Sequence, residues 1–124
     1  MTEILVGTKK GLFVLEGDAG GFEVTSRSFA GEPVDYAMRD PRSGRVIAAT
    51  GSEFYGPKLW VTDDPRGEWE QAKGVELPEG EAALVRLWTV VAGEEDGLLF
   101  AGGDPGVLFE SRDGGFTWSL HRPF

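Results

Sequence analysis

The chain contains no cysteine and one histidine, His121. It therefore has no disulfide framework and no thiolate metal site, and a single histidine leaves little material for a multi-histidine metal centre or for Ser-His-Asp catalysis. Long apolar runs are absent too. No segment approaches the roughly 18 residues that span a bilayer. The opening MTEILVGTKKGLFVLEG has no basic stretch followed by a long apolar one, so no signal peptide is read. Positive charge is scarce: 12 Lys and Arg stand against 21 Asp and Glu, a net charge of -9. An acidic surface repels phosphate backbones and anionic lipids, so neither nucleic acid nor a membrane is expected as partner. There is no P-loop or dinucleotide fingerprint, and no EF-hand spacing. The expectation is a cytoplasmic protein without metal or cofactor.

Turn residues are plentiful. Gly 19 and Pro 7 in 124 residues punctuate the whole chain. Between them lie short β-rich runs: EILVG, GLFVLEG, FEVTSR, VDYAMRD, RVIAATG, KLWVTD, EWEQAK, LVRLWTVV, LLFAGG, VLFESRD and TWSLHR. EGEAALVRLWTVV alone admits a helix, but Trp88, Thr89, Val90 and Val91 favour a strand from about Val85. About eleven strands at this spacing predict an all-β sandwich, barrel or propeller.

Repetition narrows the choice. ILVGTKKGLFVLEGDAGGFEV, VIAATGSEFYGPKLWVTDDPRGEWEQ and LLFAGGDPGVLFESRDGGFTWSL share one plan: strand, Gly-containing loop, strand, acidic turn, short strand led by an aromatic. Asp18, Asp64 and Asp113 take matching places, as do Phe22, Trp69 and Trp118. A further strand precedes two of the copies. A four-strand unit of about 50 residues is the pattern of a propeller blade. The reading is one partial β-propeller domain in three units, about 1–30, 31–78 and 79–124, the first lacking its innermost strand. A sandwich is the structural alternative.

SRDGGFTWSL carries the most specific signal. Its Ser111-x-Asp113-x-Gly115-x-Thr117-Trp118 pattern resembles the Asp-box, or BNR repeat, of sialidase-like propellers. Polar side chains accept backbone N–H groups inside such a turn, glycine supplies unusual backbone angles, and the tryptophan anchors it. The resemblance makes Asp113 structural, on the face away from a ligand. TDDPRGEW keeps Thr62, Asp64 and Trp69 but has Arg66 in place of the glycine; EGDAGGF keeps Asp18 and has Phe22 for the tryptophan. The opening, FAGEPVDYAMRDPRSGRVIAAT and the last repeat also look like the N-terminal part of bacterial WD40/YVTN/BNR-like repeat proteins, often described as glycosyl-hydrolase-like or exo-sialidase-like.

Blade topology then sorts the loops. TKKG, AGEP, GSEFYGP, VELPEGEAA and GDPG fall on the side where propellers bind ligands. In GSEFYGP, Phe54 and Tyr55 beside Glu53 suit a sugar or another planar ligand, or else cap the core or an oligomer contact. Asp35, Tyr36 and Arg86 fall on predicted innermost strands. The resemblance implies a sialidase set of arginines, a Tyr nucleophile assisted by Glu, and an Asp acid/base, of which Tyr36, Glu53, Asp35 and Arg86 would supply parts. The plainer reading of Arg86 is an ion pair with a channel carboxylate. Residues 93–97 are read as a solvated turn, Lys9 and Lys10 as a hairpin tip, and His121 as exposed.

Function is expected to be a non-catalytic module that binds a ligand through Glu53, Phe54, Tyr55 and Arg86, with a glycosidase as the alternative. Three units leave two open ends, whose apolar faces a soluble monomer rarely exposes. Copies of the chain, two rather than three, are expected to complete a ring; a complementary propeller chain is the other candidate.

Overall fold

The computed structural model describes residues 1–51, 56–78 and 83–121. Eleven strands form among them, arranged in three antiparallel sheets. The first sheet contains β1 (Thr2–Thr8), β2 (Gly11–Asp18) and β3 (Gly21–Ser28). The second contains β4 (Val34–Arg39), β5 (Val46–Thr50), β6 (Lys58–Thr62) and β7 (Glu70–Gln71). The third contains β8 (Arg86–Ala92), β9 (Leu99–Asp104), β10 (Val107–Ser111) and β11 (Ser119–His121). Each sheet is a meander in chain order. Within the stretch 79–91 that admits a helix, the described residues form a strand from Arg86, in line with its β-branched residues, while 79–82 lie outside the described residues.

The second and third sheets repeat one another residue by residue. Thr50 stands opposite Val34 and Lys58, while Gly103 stands opposite Leu87 and Val107. Each leading strand then slips by one residue, at Asp35 in β4 and at Trp88 in β8. A bulge leaves its extra residue outside the ladder and re-aims it. The shared slip makes the internal repeat visible in geometry as well as in sequence. β1, β4 and β8 lie beside one another, so the sheets open from a common edge.

The main core lies between the second and third sheets. Ile47, Ala49, Leu59 and Val61 meet Leu87, Val90, Leu99, Ala101, Phe109 and Trp118. Fully burying a side chain of the size of Phe109 contributes about 1.5–3 kcal/mol. A smaller cluster of Leu12, Val34 and Ala48, backed by Leu5, Phe29, Ala37 and Trp69, joins the first sheet to the second. VIAAT is buried along its whole length because it has a neighbour sheet on both faces, which explains its unbroken apolar run.

Polar contacts tie the same joints. Arg39 on β4 donates to both carboxylate oxygens of Glu3 on β1, at 2.7 and 2.6 Å. Ser26 and Ser28 on β3 donate to the Pro65 carbonyl at 3.0 and 3.1 Å. Between the next two sheets, Lys73 forms a parallel bridge with Thr117.

The first copy of the turn departs from the last, and His121 departs from the expected exposure. Phe22 is 43% exposed and does not anchor its turn as Trp118 does. The β2–β3 connection is a tight hairpin in which Asp18 pairs with Gly21 and its carboxylate accepts, among the described residues, only the Gly20 N–H, at 2.9 Å. Two residues are too few to form the longer turn of the other copies. His121 is half-buried on β11 opposite Leu108, since the strand extends further than a fraying terminus would.

Candidate functional site

The two bulges place three side chains together at one end of the leading strands. Arg86 Nε lies 3.7 Å from Asp35 Oδ2, linking the second sheet to the third. The Arg86 guanidinium also sits over the Trp88 indole, 5.3 Å from its centroid. Half of the Arg86 side chain is exposed, and Trp88 is 53% exposed. An exposed tryptophan against an arginine offers a flat apolar platform beside N–H donors. Among the described residues, no hydrogen-bond acceptor occupies the Arg86 Nη groups. The Asp35 carboxylate and the Trp88 indole both neighbour the guanidinium, and half of the side chain is open to solvent.

Of the residues singled out in the sequence, this arrangement brings together Asp35 and Arg86. Tyr36 sits on the same strand but packs against the core between the second and third sheets. The slip at Asp35 explains the separation, because it turns neighbouring side chains to different surroundings. Glu53, Phe54 and Tyr55 lie outside the described residues. Trp88 was not singled out as a site residue. The signal was available in the alignment of Val34-Asp35-Tyr36 with Leu87-Trp88-Thr89, which gives Trp88 the place of Asp35; the bulge that exposes both leaves no mark in spacing.

At the far end of the sheets, the turn at 111–118 is a closed hydrogen-bond network. Ser111 Oγ donates to Asp113 Oδ1 at 2.9 Å and accepts the Gly115 N–H at 3.0 Å. Asp113 Oδ1 also accepts the N–H groups of Phe116 and Thr117 at 3.1 and 3.0 Å, and Oδ2 accepts the Thr117 hydroxyl at 2.6 Å. Partial burial alone would raise the Asp113 carboxyl; the hydrogen bonds from Thr117, Ser111 and Phe116 outweigh it and hold the group below its ordinary range. The Trp118 indole closes the turn by donating to the Gly115 carbonyl at 2.7 Å. Gly115 has φ +106, and an added Cβ would meet Ile47 Cδ1 at 3.2 Å, so the position requires glycine.

The second copy shows what an arginine in that place does. Asp64 accepts a single side-chain bond from a turn amide, Arg66 N–H at 3.0 Å, while Thr62 Oγ donates to the Glu68 carbonyl at 2.7 Å. That amide bond holds the Asp64 carboxyl low. Trp69 turns outward to the preceding sheet and donates to Ser28 Oγ at 3.2 Å. Both aspartates are therefore consumed in shaping backbone.

A cavity of about 260 Å³ opens between the first two sheets, lined by Glu3, Glu16, Arg39, Asp64 and Arg66. Arg39 and Glu3 already satisfy one another there, and the Arg39 Nη1 also reaches the Gly44 carbonyl. Among the described residues no group of three or more His, Asp or Glu is arranged to hold a metal ion. No helix among them is long and apolar enough to cross a membrane. No protein-family model matches the chain, and no curated protein is significantly similar to it in sequence.

Proposed function

We propose that the chain is part of an Asp-box β-propeller of the sialidase-like kind, with the three sheets as blades and the first lacking its innermost strand. In this reading it is a binding module for a small carboxylated ligand such as an acidic sugar, held at the end of the leading strands. The fold part is supported by the meander order of each sheet, the shared bulge, and the hydrogen-bonded turn at Asp113. Further blades continue the arc into a ring.

The observation that carries the ligand reading is Arg86 placed over Trp88 and beside Asp35. A carboxylate would pair with the half-exposed guanidinium through charge-assisted hydrogen bonds, and a sugar ring would lie on the indole. Binding is favoured over hydrolysis. A glycosidase needs two carboxyl groups flanking the scissile bond, or a tyrosine nucleophile with its base. Asp35 is instead engaged by Arg86, and Tyr36 lies against the core.

Calorimetric titration with N-acetylneuraminic acid, and with a neutral hexose as control, tests the reading. Saturable binding of the acid alone, weakened at least tenfold in Arg86→Ala and in Trp88→Ala, is expected. Equal binding by these variants and the parent would overturn the site. Turnover of an aryl sialoside that disappears in Tyr36→Phe would overturn the non-catalytic assignment.

A further inference from the structure

Among the described residues no sheet packs on the outer faces of the first and third sheets, and the register says what each is shaped to meet. On the third sheet the outward residues Thr89, Val91, Phe100 and Leu108 occupy the places that Tyr36, Met38, Ile47 and Leu59 hold on the second. Those four counterparts lie in or against the core beneath the third sheet. The third sheet thus presents the surface that a following sheet covers, with Val91 48% exposed. The first sheet presents the opposite half. Ile4, Leu15 and Val24 form one row across it, with Val6 opposite Phe13 in the next. Val24 is 46% exposed.

We infer that these two faces form one more sheet-on-sheet contact, made head to tail between two copies of this chain. The inference rests on the ring reading above and names the partner that continues the arc. Each copy carries both faces, the first sheet offering its three strands without a counterpart of β8, so two equivalent contacts close a pair. Electrostatics permits this in a chain of net charge -9. The carboxylates Glu3, Glu16 and Glu23 share a single row of the first sheet, which alternation places on the face opposite Ile4 and Val24. The outward face of the third sheet carries Glu110, which Arg112 already engages at 3.0 Å. Carboxylates thereby do not face one another across the contact, and apart from the paired Glu110 the rows named are mainly apolar.

Light scattering on a sizing column, over a dilution series, tests the inference with the parent chain, Val24→Asp, Val91→Asp and an equimolar mixture of the two variants. The parent is expected at twice the 13.4 kDa chain mass. Each variant alone should fall to the single-chain mass, with an unchanged far-ultraviolet spectrum because both positions are exposed. The mixture should regain the double mass, since the third sheet of the Val24→Asp chain and the first sheet of the Val91→Asp chain are both intact. A parent that is monomeric throughout, a Val91→Asp variant that stays paired, an unrestored mixture, or a mass that climbs without plateau each overturn it. Sugar titration of the same samples separates the two readings: a monomer that still binds through Arg86 overturns only this pairing.

Discussion

Lys73 and Thr117 run side by side as a parallel bridge between the second and third sheets. The Lys73 N–H donates to the Phe116 carbonyl at 2.9 Å, and the Trp118 N–H returns a bond to the Lys73 carbonyl at 2.8 Å. The turn that Asp113 organises from within is therefore also gripped from without. The grip depends on Gly74, whose φ is +84 and whose added Cβ would lie 2.0 Å from the Trp118 carbonyl oxygen. Gly74→Ala is expected to destabilise the protein by more than the roughly 1–2 kcal/mol of a left-handed backbone, because the clash adds to it. Urea unfolding followed by tryptophan fluorescence measures this; an unchanged midpoint contradicts it.

Asp113 should make stability depend on acid. Its folded carboxyl lies below the ordinary value of 3.8, so its contribution is complete above that pH and is lost as pH falls through the lower folded value. Asp113→Asn is expected to cost about 1 kcal/mol at neutral pH, the exposed setting screening the charge. Below the folded value, parent and variant should converge. Thermal melts at stepped pH from 7 downward would show the gap closing; a constant gap would mean that the carboxylate charge is irrelevant.

Glu3 and Arg39 make a weaker claim. The Arg39 hydrogen bonds hold the Glu3 carboxyl below 4.5 against a smaller opposing effect of burial. Both side chains are partly solvated, so Glu3→Gln should cost about 0.2–1 kcal/mol. The loss should shrink in strong salt, which screens the pair. Chemical denaturation by urea with and without added sodium chloride decides it.

Phe29 is the one non-glycine residue with positive φ among those described, at 57°. Its ring is held 4.8 Å from Trp69 and 5.5 Å from Trp60, and that packing opposes the backbone strain. Phe29→Gly relieves the strain yet forfeits the rings, and is expected to be less stable by about 1–3 kcal/mol. Phe29→Ala keeps the strain and loses the rings as well, so it should unfold more readily than Phe29→Gly. The reverse order in a melting series would show that the strain is negligible.

Strand placement was legible because turn residues bound every run and because the repeat imposed one plan on VIAAT and LLFAGG alike. The turn at Asp113 was legible for a chemical reason: its serine, aspartate, glycine and threonine each make the bond that their spacing allows. Phe22 matches Trp118 in sequence alone, since an aromatic at that place does not reveal whether a two-residue hairpin or a longer turn precedes it. Among the candidate site residues, Asp35 and Arg86 were legible as a possible ion pair by their charges. Trp88 and the displacement of Tyr36 were not, because a one-residue slip in a ladder alters which way side chains face without altering composition or period.

The joints between sheets are made in series. Pro65 is held by the serines of the strand before it, and Phe116 by the lysine before it. Each sheet thus leans chiefly on its immediate neighbours among the described residues. A fold assembled in this manner can be lengthened or shortened at an end for the loss or gain of a single seam, leaving the interior seams as they were. Gene duplication acts on such an architecture without having to redesign it.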